Sequence, residues 1–193
     1  MKPSDPRAVK NQISALIAQF GDDDGLVREK ARLALVGMGN IAVAPLIEAL
    51  TSKDKEIRWE SAKALGEIAS NVAVPALIKA LEDEDYDVRW LAAEALIEIG
   101  RDSAVPLLEA LMARSNEFLL RQGAHHVLYH LSGADSGIAH HLSKHPRNVD
   151  PSIQQLLKPV VSALEDAAPR SEAPIAAEVA LDALRHVPAK NSG

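Results

Sequence analysis

Four stretches decide the fold: VREKARLAL beginning at Val27, IRWESAKAL at Ile57, VRWLAAEAL at Val88 and the looser LRQGAHHVL at Leu120. Each carries an arginine as its second residue: Arg28, Arg58, Arg89 and Arg121, spaced 30, 31 and 32 apart. A fixed period of that size is the mark of a solenoid of stacked units. Between these Arg phrases runs a second phrase, VAPLIEAL at Pro45, AVPALIKAL at Pro75 and AVPLLEAL at Pro106. Proline near a helix start is tolerated, because that N–H has no intrahelical partner. Alanine and leucine recur at helical spacing in both phrases and give each helix one buried stripe. Gly39 and Gly100 stand where Arg-phrase helices close, a place for a left-handed C-cap. The unit is therefore helix, turn, helix. It needs neighbours to cover its apolar faces.

The position of each residue follows. Ala31, Leu35, Ala64, Leu65, Ala92, Leu96, Ala124 and Leu128 lie on the core stripe of the Arg-phrase helices. An acid precedes each arginine by four residues: Asp24, Asp54, Asp85 and Glu117. It sits where an N-cap is expected. The arginine one turn on is placed to reach that acid or the next repeat's, a polar ladder that stitches the repeats together.

The pattern D-x-x-x-R-x-x-A-x-x-A-L, a glycine turn and A-V-x-P-L-x-x-A-L resembles HEAT repeats, in the short, roughly thirty-residue form of phycobilisome-lyase-like proteins. The resemblance implies an all-α right-handed superhelix of about five helix pairs, one domain over 1–193. Residues 1–21 are expected to hold an opening helix, with Asp5 as N-cap and Pro6 at N1. Core repeats span 22–131, an insertion with one short helix 132–151, and a closing repeat with its tail 152–193. Within that last part 152–165 echo the Pro phrase at Pro159, and 174–187 echo the Arg phrase with Ala177 in the arginine's place.

The resemblance also implies that Arg-phrase helices line a concave side, the surface solenoids use for binding. The outward stripe of these helices holds Trp59, Tyr86, Trp90, Leu91, Phe118, Leu119, Gln122, His126 and His130. Four of the six aromatics of the chain fall in this set, although a core role would put them on the Ala/Leu stripe. The same face carries Glu29, Glu56, Glu60, Glu67, Asp87, Glu94 and Glu98 against Lys30, Lys55 and Lys63. An aromatic floor bordered by carboxylates suits a basic or amphipathic segment of another protein. Trp59, Glu60, Tyr86, Trp90, Leu91, Glu94, Glu98, Phe118, Gln122 and His126 are the expected contact residues. The alternative that the family offers is a subunit of a bilin lyase.

Composition narrows the classes. The net charge is −6, which disfavours nucleic acid. The chain lacks cysteine, which removes disulfides, thiolate catalysis and cysteine zinc sites. No apolar run approaches the roughly 20 residues of a membrane span, and the N-terminus lacks a secretory apolar core. A soluble cytoplasmic, non-catalytic protein without cofactor is expected: nothing supplies a nucleophile or an acid–base pair of recognisable spacing. Six of seven histidines lie between 125 and 145: His125, His126, His130, His140, His141 and His145. His126/His130 and His141/His145 share helix faces at chelating spacing, but no carboxylate follows in an H-E-x-x-H arrangement. The cluster is read as polar packing, with His125 on the core stripe and no metal.

Overall fold

The computed structural model describes residues 6–133, 151–166 and 168–186. Among them are ten α-helices and no strand. The helices are α1 (Pro6–Ala18), α2 (Gly25–Met38), α3 (Asn40–Ala49), α4 (Lys55–Ile68), α5 (Val74–Ala80), α6 (Tyr86–Ile99), α7 (Arg101–Ala113), α8 (Phe118–Leu131), α9 (Pro151–Glu165) and α10 (Pro169–Arg185). The even-numbered helices α2 to α8 carry the Arg phrases, and α3, α5 and α7 the Pro phrases. All eight predicted core-stripe residues are buried. The opening helix begins at Pro6, as expected; Asp5 and most of the predicted insertion (134–150) lie outside the described residues.

The chain divides into two compact units, Met1–Ala95 and Leu96–Gly193. In the first, α2 packs on α4, α3 on α4, and α1 on α2 and α3. Gly66 of α4 meets α6 so closely that an added Cβ would stand 3.1 Å from Cα and Cβ of Ala95. A side chain there would press on the α6 backbone, which would have to give by a few tenths of an ångström. In the second unit α7, α8, α9 and α10 close a ring: α7 packs on α8, α8 on α9, α9 on α10 and α10 back on α7. This departs from the sequence echo. A helix descended from the Arg phrase would lie beside α8, yet α10 lies beside α7 and α9 takes the place beside α8. α10 also starts at Pro169, five residues before the echo, so Pro174 is inside it.

The caps hold in three of four repeats. Asp24 Oδ1 accepts the Leu26 N–H at 2.8 Å, Asp54 Oδ1 that of Glu56 at 2.9 Å, and Asp85 Oδ1 that of Asp87 at 2.9 Å. Glu117 occupies the N-cap of α8 without a side-chain cap bond. Its carbon chain is one methylene longer than aspartate's, which suits the short loop-back poorly.

The arginines do something other than reach the capping acid. Each donates Nη1 to the carbonyl six residues earlier: Arg28 to Asp22 O (2.6 Å), Arg58 to Ser52 O (2.9 Å), Arg89 to Asp83 O (2.8 Å) and Arg121 to Ser115 O (2.6 Å). In the first three the carbonyl five back is also within reach. The arginine is thus a clamp on its own loop, a charged donor on carbonyls that no helix serves. The inter-repeat link exists as well, most fully at Arg58. Its Nε and Nη2 grip Asp83 at 2.8 and 3.0 Å, and Nη2 also meets Glu84 Oε1 at 3.1 Å.

The prolines also sit deeper than expected. α3 starts at Asn40 and α7 at Arg101, so Pro45 and Pro106 lie in the second turn rather than at the start. The reason is Gly39 and Gly100, whose φ of 61° and 75° turns the chain in a single residue. The next helix therefore begins at once. Ala69 stands in their place in the middle repeat, at φ 53°. There a short 3-10 turn (Asn71–Ala73) intervenes, and Pro75 does fall at the helix start.

The period lengthens by one residue per repeat, and the structure shows where. Pro45 to Arg58, Pro75 to Arg89 and Pro106 to Arg121 are 13, 14 and 15 residues. The clamp keeps its reach of six, and the helical stretch after the proline grows instead, from Pro45–Ala49 to Pro75–Ala80 to Pro106–Ala113.

Candidate partner-binding face

The positions one, five and nine residues after each clamp arginine form a stripe at helical spacing. It reads Glu29, Leu33, Gly37 on α2; Trp59, Lys63, Glu67 on α4; Trp90, Glu94, Glu98 on α6; and Gln122, His126, His130 on α8. Every one of these residues is exposed or half-buried. The residue three before the arginine is exposed in all four helices: Gly25, Lys55, Tyr86 and Phe118.

In the first unit this places Trp59 on α4 and Tyr86, Trp90, Leu91 and Glu94 on α6. Trp90 is 40% exposed and Tyr86 61%. Trp59 is half-buried, with the Lys63 ammonium 4.8 Å from its ring centroid. The Arg89 guanidinium lies 5.5 Å from the Tyr86 ring. A cation on one face of a ring holds it in place and leaves the other face for contact. In the second unit Phe118 repeats this arrangement, 64% exposed with the Arg121 guanidinium 5.9 Å away. There Gln122 is exposed, while Glu98 and His126 are half-buried.

Glu60 departs from expectation. It is 4% exposed and faces the α2–α4 seam instead of solvent. Arg28 Nε lies 3.6 Å from Glu60 Oε1, and Arg32 Nη1 lies 3.5 Å from Oε2. Burial pushes the Glu60 carboxyl above the usual carboxylate range, against the pull of Arg32, Lys63 and Arg28. Neither Glu60 Oε2 nor Arg28 Nε has a hydrogen-bond partner.

Arg32 belongs to the same seam and escaped the sequence reading. It is buried, with Nε 3.1 Å from Glu67 Oε1. One signal could have found it: Arg32 stands four after its clamp arginine, where the next two repeats carry Ala62 and Ala93. Leu26 and Leu33 of α2 were missed too; both are exposed, and Leu33 continues the outward stripe. Arg58 is held more firmly protonated than a free arginine, first by its hydrogen bond to Asp83.

The histidines divide. His125 is half-exposed rather than packed in the core, and its Nε2 meets Glu165 Oε1 of α9 at 3.0 Å. The His126 and His130 rings stand edge to face at 4.7 Å. His140, His141 and His145 lie outside the described residues. No described helix is long and apolar enough to cross a membrane.

The family model for HEAT repeats matches residues 13–79 and 43–128. No curated protein matches the sequence. Among solved structures, the chain is similar to one in the complex of CpcE and CpcF of phycocyanin lyase from Nostoc sp. PCC7120. The identity is 23% and the TM-score 0.54, over 88% of this chain and 98% of that one. Capped and clamped helix pairs at the period of the Arg phrases, together with a family match over most of the length, have one reading: the chain belongs to the HEAT-repeat family.

Proposed function

We propose that this chain is a non-catalytic protein-binding module whose α4–α6 face receives a basic or amphipathic segment of another protein. The observation that carries it is Tyr86 and Trp90, large aromatics left 61% and 40% exposed on α6, with half-buried Trp59 at the position on α4 that matches Trp90. Rigid, amphipathic rings at a surface are the usual anchors of protein contacts. Glu56, Asp87 and Glu94 on the same helices favour a partner with Lys or Arg. Glu60 supports this face from beneath, through the seam. Phe118, Gln122 and His126 are proposed as a second contact, within the other unit.

The test is a titration with a labelled leucine–lysine amphipathic peptide. Trp59→Ala and Trp90→Ala are expected to leave the helical signal unchanged and each to weaken binding by about 2 kcal/mol, roughly thirtyfold. Glu94→Lys is expected to act on association rate and salt dependence. Unfolding of both tryptophan variants would assign the indoles to the core and end this reading.

A second reading has its own support. The likeness to a chain of a phycocyanin lyase complex allows a role as a lyase subunit. Added bilin would then show a red-shifted, sharpened absorption with the protein, and the peptide would not compete.

A further inference from the structure

α10 has two apolar faces. Ala173, Ala177, Ala180, Leu181 and Leu184 are buried and pack within the ring of the second unit. Ile175 and Val179, one turn apart on the opposite side, are 64% and 67% exposed. An outer helix of a bundle normally turns charged and polar residues that way. β-branched side chains are also weak helix formers. At exposed positions they add nothing to the packing of the ring, so their presence needs another cause.

The border of the patch indicates what covers it. Glu172 and Asp182 lie about 40° from the Ile175–Val179 midline on the helix and Glu178 about 80°, and all three are exposed. No lysine or arginine falls between Glu172 and Asp182. A second copy of the chain would set these carboxylates against their own counterparts. Like charges across an interface are costly.

We propose that the outer face of α10 docks an amphipathic helix of another chain, with an apolar stripe over Ile175 and Val179 and Lys or Arg along its edges. This is helix-against-helix recognition read from i, i+4 anchors. It is independent of the aromatic face of the first unit.

Because the sequence has no cysteine, Ser171→Cys gives a unique attachment point for an environment-sensitive fluorophore beside the patch. The leucine–lysine peptide is expected to change its emission saturably, and a leucine–glutamate peptide of the same pattern is not. Ile175→Ser/Val179→Ser should weaken the response at least tenfold while its melting temperature stays at or above that of the parent. Glu178→Lys/Asp182→Lys, which keeps the apolar pair, should weaken it as well. Trp59→Ala/Trp90→Ala should leave the response in place, which separates this surface from the α4–α6 face. A silent fluorophore, an unchanged response in the Ser variants, or an equal response to the glutamate peptide would overturn the proposal. So would a response to protein concentration alone with a dimer mass by light scattering, which would give the face to a second copy.

Discussion

The α2–α4 seam of the first unit and the α7–α10 ring of the second close their helices with different groups. In the seam, Arg32 and Glu60 are about 5% exposed, with Arg28 and Glu67 beside them; at the next joint Arg58 of α4 is as deeply buried and pairs with Asp83 of the loop before α6. In the ring, every described buried residue of α9 and α10 is apolar: Ile153, Leu157, Val160, Val161 and Ala163 on one, Ala173, Ala177, Ala180, Leu181 and Leu184 on the other. Apolar area is non-directional, so it rewards any close fit. A bidentate guanidinium–carboxylate pair accepts only one geometry. The helix order follows the repeat where the arginines are present. It departs from the repeat at α10, where Ala177 stands in the arginine's place.

The comparison can be broken most forcefully at Arg58. Arg58→Ala removes the cation that Asp83 and Glu84 share and frees two loop carbonyls. The expected loss is about 3–5 kcal/mol, the cost of opening a buried pair. A melting temperature within a degree or two of the parent would show this charged joint to be incidental. Leu157→Ala in the ring should cost about 2–4 kcal/mol through its cavity. Leu157→Met, which keeps the volume, should recover most of that loss, whereas Arg58→Met should not, and equal recovery would erase the distinction between the two regions.

Glu60 sharpens it on a smaller scale. Because its carboxyl titrates above the unfolded range, the folded chain binds that proton first as pH falls. Stability from this residue therefore grows on acidification through that window and is lost as pH rises back through the folded value. Glu60→Gln should flatten the slope and shift stability at neutral pH by no more than about 1 kcal/mol, since Arg32 keeps Glu67. A large loss would mean that the charge itself holds the seam. The smallest effect is expected at Ala69, whose left-handed backbone strains an L residue. Ala69→Gly should stabilise by up to about 1 kcal/mol in a denaturant titration.

The sequence shows the core stripe, the three aspartate caps and the outward stripe, because each depends on local spacing alone. Arg28, Arg58, Arg89 and Arg121 were legible as a set, but their main acceptors were not. Carbonyls carry no sequence letter, so a clamp on Ser52 O or Asp83 O cannot be told from a reach toward Asp54 or Asp85. Glu60 was misplaced for a related reason. Its burial depends on Arg28 and Arg32 of another helix, and helical spacing within α4 is silent on that. The place of α10 depends on which apolar faces meet, and Ala and Leu fit several neighbours equally. Of the candidate face, the positions of Trp59, Tyr86 and Trp90 were readable, whereas the arginine and lysine over their rings required coordinates.

The clamp has a consequence for how such a chain can change length. Each arginine measures its loop backward by the same six residues, so the loop is a closed cassette whose size is set from its downstream end. Residues gained upstream emerge as extra helix after the proline, where they disturb neither cap nor clamp. Insertions should therefore be accepted just before Thr51 or Glu82 and rejected between Ser52 and Arg58, a rule for grafting or trimming repeats that the period alone would not provide.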